Sequence, residues 1–481
     1  MFIFFENKHS YPQFYVAFLE KIGYNNDTFE FTRENMEGLQ KKYGLFTAIC
    51  TVVGIVIGSG IFFKAPSVLA NAGDGFTSIL AWIISGLIMV IIATAFGVLA
   101  TKYEKVNGVV DYAEATCGKT YAYFVGWFMS LIYYPAMTSV LAWVSARYTL
   151  VAVFGDDSKI FSAECITIAL FYLILAFFIN VIAPKVAGKF QISSTIAKFI
   201  PIIFIAVIGT IIGLANGTLS SNWLVTYEAA IENPGLFPAI CGTIFAYEGW
   251  IVATAINSEI KDSKRNLPIA LCIGTLIIVA AYTLYNIGIL GLADVNSLSG
   301  GTYVAFNTFG PVIAAIINIL VVVSCLGTLN GLMLGCSRGI YSLAARNEGV
   351  NPETFSQIDR KTNMPHNSAI FSLFACAIWF VYFILYCLGY FGDFGFDSSE
   401  LPIITIYPLY VPILIMMMVK EKDVHPFKRF VLPILSFGGI GVIVYASIRS
   451  HGMSNLWYLI VFAIVMLIGW GVMIYNNKAK E

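Results

Sequence analysis

The chain has 481 residues, 58% hydrophobic and 12% charged, with 28 basic and 28 acidic side chains that cancel to a formal net charge of zero. Soluble domains carry about 25% charged residues, and the mean hydropathy here is +0.79. A water-soluble protein of this size is excluded, and no nucleic-acid partner is expected.

Residues 1–42 are polar and mixed, without the charged, apolar and cleavage-site pattern of a signal peptide. Met36, followed by Glu-Gly-Leu-Gln-Lys-Lys and the first apolar run, reads as a natural start. Residues 1–35 are therefore expected to be an upstream misassignment or a dispensable tail. Twelve apolar stretches follow, each long enough to cross the roughly 30 Å hydrocarbon core of a bilayer. The first five are predicted at 45–71, 76–101, 120–151, 162–183 and 190–214. The next five fall at 236–258, 267–292, 303–335, 367–388 and 400–419, and two more at 428–448 and 455–475. Lipid offers no water to unpaired backbone groups, so open spans must be helices. The expected fold is all-α: one transmembrane domain over 43–475, between cytoplasmic tails at 1–42 and 476–481.

Charge sets the expected orientation. With the N-terminus inside, the cytoplasmic segments hold most of the Lys and Arg, from Lys41 and Lys42 to Lys478 and Lys480. The outer side keeps only Lys64, Arg147, Lys159 and Arg449, and its loops are acidic, as at Asp156-Asp157 and from Asp393 to Glu400. This positive-inside bias places both termini in the cytoplasm, with the plasma membrane as the expected location. The nine cysteines stand singly, mostly inside apolar runs, and read as small core residues rather than disulfide or metal ligands. His9, His366, His425 and His451 fall in the tail or in loops between the predicted spans. No metal and no cofactor are expected.

The first span carries Gly54, Gly58, Ser59 and Gly60 at mid-membrane. Glycine costs a helix about 1 kcal/mol relative to alanine and frees the chain to leave helical geometry. Close helix packing is one reading. The other is an unwound segment, tolerated at that depth only where it lines a cavity. The sixth span carries Phe245-Ala246-Tyr247-Glu248-Gly249-Trp250, a carboxylate beside a glycine. Two interrupted spans at corresponding positions in consecutive groups of five point to an inverted-repeat transporter with its site at the midplane. Free N–H groups near Ser59, Gly60 and Ile61 suit a carboxylate. Carbonyls freed near Val56, Ile57, Phe245 and Ala246 suit an ammonium group. Together they suit an α-amino acid.

The runs GSGIF, FAYEGW, SEIKDSKRNLPIA and NGLMLGCSRGIYSLAARNEGVNP resemble those of the amino acid–polyamine–organocation superfamily, in its L-type amino acid transporter and bacterial permease branch. The resemblance covers about residues 40–475. It implies a LeuT-like five-plus-five inverted repeat with discontinuous helices 1 and 6, two extra helices, and alternating access. By position it implies that Gly58, Ser59 and Gly60 hold the substrate carboxylate. Val56, Phe245 and Glu248 surround the amine, and Phe245 also caps the substrate from outside. The loop with Asp111-Tyr112 carries Val109-Val110 where the family has a second glycine, and no substrate role is assigned to it.

Two charges, Lys198 and Glu248, fall deep inside their spans and read as buried. Lys198 in the fifth is expensive at that depth, so a partner or a wet cavity is expected, with snorkelling to the interface as the alternative. The resemblance puts it against the first-helix break, where sodium-driven relatives bind a cation. That argues against sodium coupling and leaves protons as a candidate co-substrate, or an exchanger. Ser324, Thr328 and Asn330 of the eighth span either face the Lys198 region or bond their own helix. Glu248 has three readings: a contact to the substrate's ammonium or basic side chain, a proton carrier, or a hydrogen-bond acceptor bracing the unwound helix. Glu259, Lys261, Lys264 and Arg265 read as a solvated cluster or as an inner gate with Arg338 or Arg346.

The function these features imply is sodium-independent amino-acid transport, by proton symport or by exchange. A polyamine or organic-cation carrier is the alternative, which would leave the Gly-Ser-Gly anion site without a purpose. An integral membrane enzyme is remote, since the chain has no HExxH, nucleophile elbow or P-loop. The outer loop 152–161 contains no cysteine, so no linked ancillary subunit is expected.

Overall fold

The computed structural model describes residues 44–478 apart from 104–107, 156, 225 and 229. The proposed start at Met36 and the tail before it lie outside the described residues. The first span is two helices, α1 (Leu45–Val56) and α2 (Gly60–Ala72), bent by 50° at the intervening break. Next come α3 (Gly75–Lys102), a short α4 (Val109–Cys117), α5 (Lys119–Phe154), α6 (Ala163–Ile182) and α7 (Pro184–Ala215). The sixth span is α8 (Leu236–Tyr247), continued after its own break by a 3-10 segment, Trp250–Glu259. The remaining spans are α9 (Ser263–Leu292), α10 (Pro311–Ala344), α11 (His366–Cys387), α12 (Leu401–Lys420), α13 (Phe427–His451) and α14 (Ser454–Lys478). Among the described residues, eleven helices are long and apolar enough to cross a membrane, or twelve spans when the bent pair is counted as one. This is the all-α membrane fold expected.

Hydropathy located the spans but misjudged several ends. The eighth span was predicted to start at 303. Instead two short turns, Tyr303–Phe306 and Asn307–Phe309, precede Gly310, and α10 begins with Pro311 in its first turn. There the missing N–H of proline costs nothing. The same helix runs on to Ala344, through Ser337, Arg338 and Ser342, because a helix need not end where its apolar run ends. For the same reason two histidines expected in loops are helical: His366 opens α11 and His451 closes α13.

The helix α7 shows how lipid and protein faces divide. Ile192, Ile196, Ile200, Ile203, Val207 and Ile211 recur at helical spacing and are exposed, forming the face turned to lipid. Ser194, Lys198, Ile202 and Ile205 are buried on the other side. Farther along, Gly209 and Gly213 lie against Gly288 and Gly291 of α9, so close that any Cβ would strike backbone. Small residues facing each other let membrane helices approach closely where hydrophobicity alone gives no drive. That contact fixes α7 beside α9, and so fixes the depth of Lys198. The last span is peripheral, since α14 buries only Tyr458 and Gly469.

Candidate functional site

The two breaks face each other. α1 ends at Val56, and Ile57 is extended (φ −66°, ψ 109°) before α2 restarts at Gly60. α8 ends at Tyr247, Glu248 is extended (φ −77°, ψ 159°), and Gly249 has φ +109°, a backbone region that strongly favours glycine. Gly60 packs on Ala246, and Gly249 packs on Ile55. Val56, Ile57, Gly58, Ser59, Gly60 and Ile61 from one break, and Phe245, Ala246, Tyr247 and Glu248 from the other, are all buried. The structure thus gathers the ten predicted substrate-site residues around one locus.

The end groups of the broken helices differ in how far they are engaged. Tyr282 of α9 sets its hydroxyl 3.1 Å from the carbonyl oxygens of both Val56 and Ala246, bridging the two breaks. At the start of α2 the N–H groups of Phe62 and Phe63 bond back to the Ser59 carbonyl. The first N–H groups of a helix have no partner within it, and here they stand at the positive end of its dipole. The Ser59 side chain caps none of them, and its Oγ is buried without a hydrogen-bond partner among the described residues. Ser324 Oγ of α10 is in the same position.

Lys198 lies fourteen residues past Pro184, about 21 Å along α7. It is fully buried and donates from Nζ to the Gly54 carbonyl at 2.8 Å. That carbonyl belongs to the last turn of α1, where the dipole is negative. The lysine therefore does not snorkel to the interface. Thr328 faces the break, its side chain against Gly58, while its hydroxyl donates to the Ser324 carbonyl of its own helix at 3.2 Å. Asn330 is drawn elsewhere: its side chain joins Asn180 of α6 and the Ala187 carbonyl of α7.

Glu248 is held from two sides. Tyr133 of α5 donates to Oε1 at 2.6 Å and Tyr407 of α12 donates to Oε2 at 3.1 Å. A carboxylate offers about four lone-pair positions, and two are taken by scaffold helices that lie outside both breaks. Phe245 stacks edge-on with Phe63 at 5.8 Å, and both rings lie beneath the Lys64 ammonium, at 5.4 and 5.2 Å. Trp250 is buried in an aromatic cluster with Phe96 and Tyr410. At the end of the protein assigned to the cytoplasm, Lys261, Lys264 and Arg265 are exposed. Arg346 is ion-paired with Asp111 of α4, with Glu114 also close at 3.6 Å. The side chain of Glu259 lies outside the described residues.

Sequence reasoning missed Tyr133, Tyr282, Tyr407 and Phe63. Tyr133 had a signal in Pro135, two residues on, and the structure places a π-helical turn, Met129–Tyr133, just before it. Pro135 cannot bond back to the Leu131 carbonyl, which accepts from the Trp379 indole instead. Tyr407 likewise precedes Pro408. Tyr282 had none: nothing in the sequence sets it apart from the many tyrosines that only pack.

This pair of breaks, with a lysine at the end of the first helix, can be set beside known proteins. Residues 43–471 match the family model described as amino acid permease. The chain belongs to the amino acid permease family. It is 27% identical over 429 residues to the serine/threonine exchanger SteT of Bacillus subtilis, covering 87% of this chain and 93% of that protein. It is 28% identical over 338 residues to the b(0,+)-type amino acid transporter 1 of Mus musculus, covering 69% of this chain and 68% of that protein. It is 26% identical over 338 residues to the cystine/glutamate transporter of Homo sapiens, covering 68% and 65%. As a permease the chain is a membrane transporter and not an enzyme.

Proposed function

We propose that this permease carries an α-amino acid across the plasma membrane by alternating access, without sodium, as an exchanger or a proton symporter. Both tails are read as cytoplasmic, flanking one transmembrane domain. The observation that carries the sodium-free reading is Lys198, whose ammonium sits 2.8 Å from the Gly54 carbonyl, where a cation would otherwise meet the negative end of α1. The substrate carboxylate takes the N-terminus of α2, where the Ser59 hydroxyl is buried without a partner among the described residues. The substrate amine takes the carbonyls of Val56 and Ala246, which share one tyrosine hydroxyl and keep lone pairs to accept with. Phe245 and Phe63 close over the site from outside.

Glu248 is read as a brace, because two tyrosines already donate to it. This weakens the polyamine reading, which needs that carboxylate for its cargo. One relative is named an exchanger, which favours exchange over symport. No linked subunit is invoked, since loop 152–161 has no cysteine. The test is uptake of a panel of labelled amino acids into proteoliposomes free of sodium. Uptake that needs internal amino acid selects exchange, and uptake that needs only a proton gradient selects symport. Uptake that needs sodium removes the role given to Lys198.

A further inference from the structure

Away from the breaks, at the end of the molecule assigned to the outside, three side chains that take no part in the proposed site converge. Cys241 of α8, Glu400 at the start of α12 and His451 at the end of α13 bring one ligand atom each within 4.8 Å of one another. Cys241 Sγ lies 3.4 Å from Glu400 Oε2 and 3.5 Å from His451 Nε2, and the two last atoms are 3.0 Å apart.

Those spacings are the useful observation. A tetrahedral zinc ion holds sulfur at about 2.3 Å and nitrogen or oxygen at about 2.0–2.1 Å, so its ligand-to-ligand edges are about 3.6 Å from sulfur and about 3.3 Å between nitrogen and oxygen. The triangle here matches those edges to a few tenths of an ångström without moving any helix. The donor set of thiolate, imidazole and carboxylate is one that zinc takes, and it is too soft for magnesium or calcium. We propose that Cys241, Glu400 and His451 form a binding site for zinc or a zinc-like divalent ion, with water as the fourth ligand.

The charges around the site are compatible with that ion. Lys64 Nζ is bonded to the other carboxylate oxygen, Glu400 Oε1, at 2.5 Å and to Ser399 Oγ at 3.0 Å, leaving Oε2 to face the cysteine and histidine. Binding displaces the thiol proton of Cys241 to water, so thiolate and carboxylate set two negative charges against the ion and the Lys64 ammonium. Asp397 adds to the negative field at His451 and Lys64. The His451 side chain is 12% exposed, which gives the ion an entry from the surface.

The three ligands join helices of different kinds. Cys241 lies one turn before Phe245 on α8, the half-helix that carries the outer gate, whereas Glu400 and His451 belong to the scaffold spans α12 and α13. A bound ion ties the gate helix to the scaffold and holds the gate closed. This consequence rests on the transport reading, whereas the binding site itself does not.

The experiment has two arms on the purified full-length protein. In the first, cobalt(II) is titrated as a probe. A saturable thiolate-to-cobalt absorption band, displaced by zinc, is expected in the parent protein, absent in Cys241→Ala, and at least about ten-fold weaker in affinity in His451→Gln. No band, or a band that survives Cys241→Ala, leaves only a hydrogen-bonded cluster and overturns the site. In the second, external zinc slows amino-acid uptake by parent proteoliposomes but not by Cys241→Ala or His451→Gln, each of which transports normally in its absence. Chelation of the substrate by zinc affects all three alike and is thereby separated. Equal inhibition of all three, or binding without inhibition, overturns the coupling to the gate. If none of them transports amino acids, it is the transport reading that has failed, and the cobalt arm still decides the site.

Discussion

Replacing Gly60 by alanine tests the meeting of the two breaks most sharply. A Cβ at Gly60 would lie 2.5 Å from the Ala246 Cα and 3.0 Å from its Cβ, where ordinary contact is 3.4–4 Å. The nearest obstacle is backbone, so no rotamer change relieves it, and α2 and α8 must part by about 1 Å. Overpacking of this kind costs about 1–3 kcal/mol. If the clash exists only while the breaks are closed on each other, that energy disfavours the closed state by about 5- to 150-fold. Amino-acid uptake by Gly60→Ala proteoliposomes is therefore expected to fall by at least about five-fold, with the folded protein still recovered by size-exclusion chromatography. Gly438→Ala is the control, since among the described residues nothing lies within 4 Å of a Cβ placed there. Wild-type uptake by Gly60→Ala would refute the close approach of the two breaks.

Gly58→Ala meets a side chain instead, with the Thr328 hydroxyl at 2.3 Å. Its uptake defect should be partly rescued by Thr328→Ala, and a double variant no better than the single would show that the clash is not the cause. Lys198→Met removes the ammonium from the Gly54 carbonyl and should lower uptake at least ten-fold while the thermal midpoint shows the protein still folded; wild-type-like uptake would remove its role. Glu248→Gln can no longer accept from both tyrosines with full charge, and hydrogen bonds to a charged group contribute about 1.5–3 kcal/mol. Its thermal midpoint should therefore drop, while competition by lysine and by alanine keeps its wild-type ratio. A changed ratio would return Glu248 to the substrate.

How much of this was legible in the sequence depended on the range of the interaction. The spans announced themselves because each is a local apolar run, and the breaks because glycine and a carboxylate are locally out of place at bilayer depth. Lys198 was legible as an anomaly, and the resemblance supplied its destination. The scaffold contacts were barely legible, since only the nearby Pro135 and Pro408 mark Tyr133 and Tyr407 and nothing marks Tyr282. Tyr133, Tyr282 and Tyr407 reach the breaks from three other spans, and a tyrosine that bonds a distant carbonyl reads the same as one that only packs. The cluster of Cys241, Glu400 and His451 was missed for a related reason: its members are far apart in the chain, and the helix α13 extends past its apolar run to carry the histidine inward. Span ends failed where turns or small polar residues shifted helix termini, as at Pro311 and Ala344.

The central claim is that a buried lysine, and not sodium, occupies the cation position beside an amino-acid site. The most direct measurement is uptake of labelled amino acids into proteoliposomes loaded with amino acid, with sodium replaced by choline on both sides. Uptake at the same rate with and without sodium, lost in Lys198→Met, is the expected result. Uptake that rises with sodium, or that persists unchanged in Lys198→Met, would contradict it.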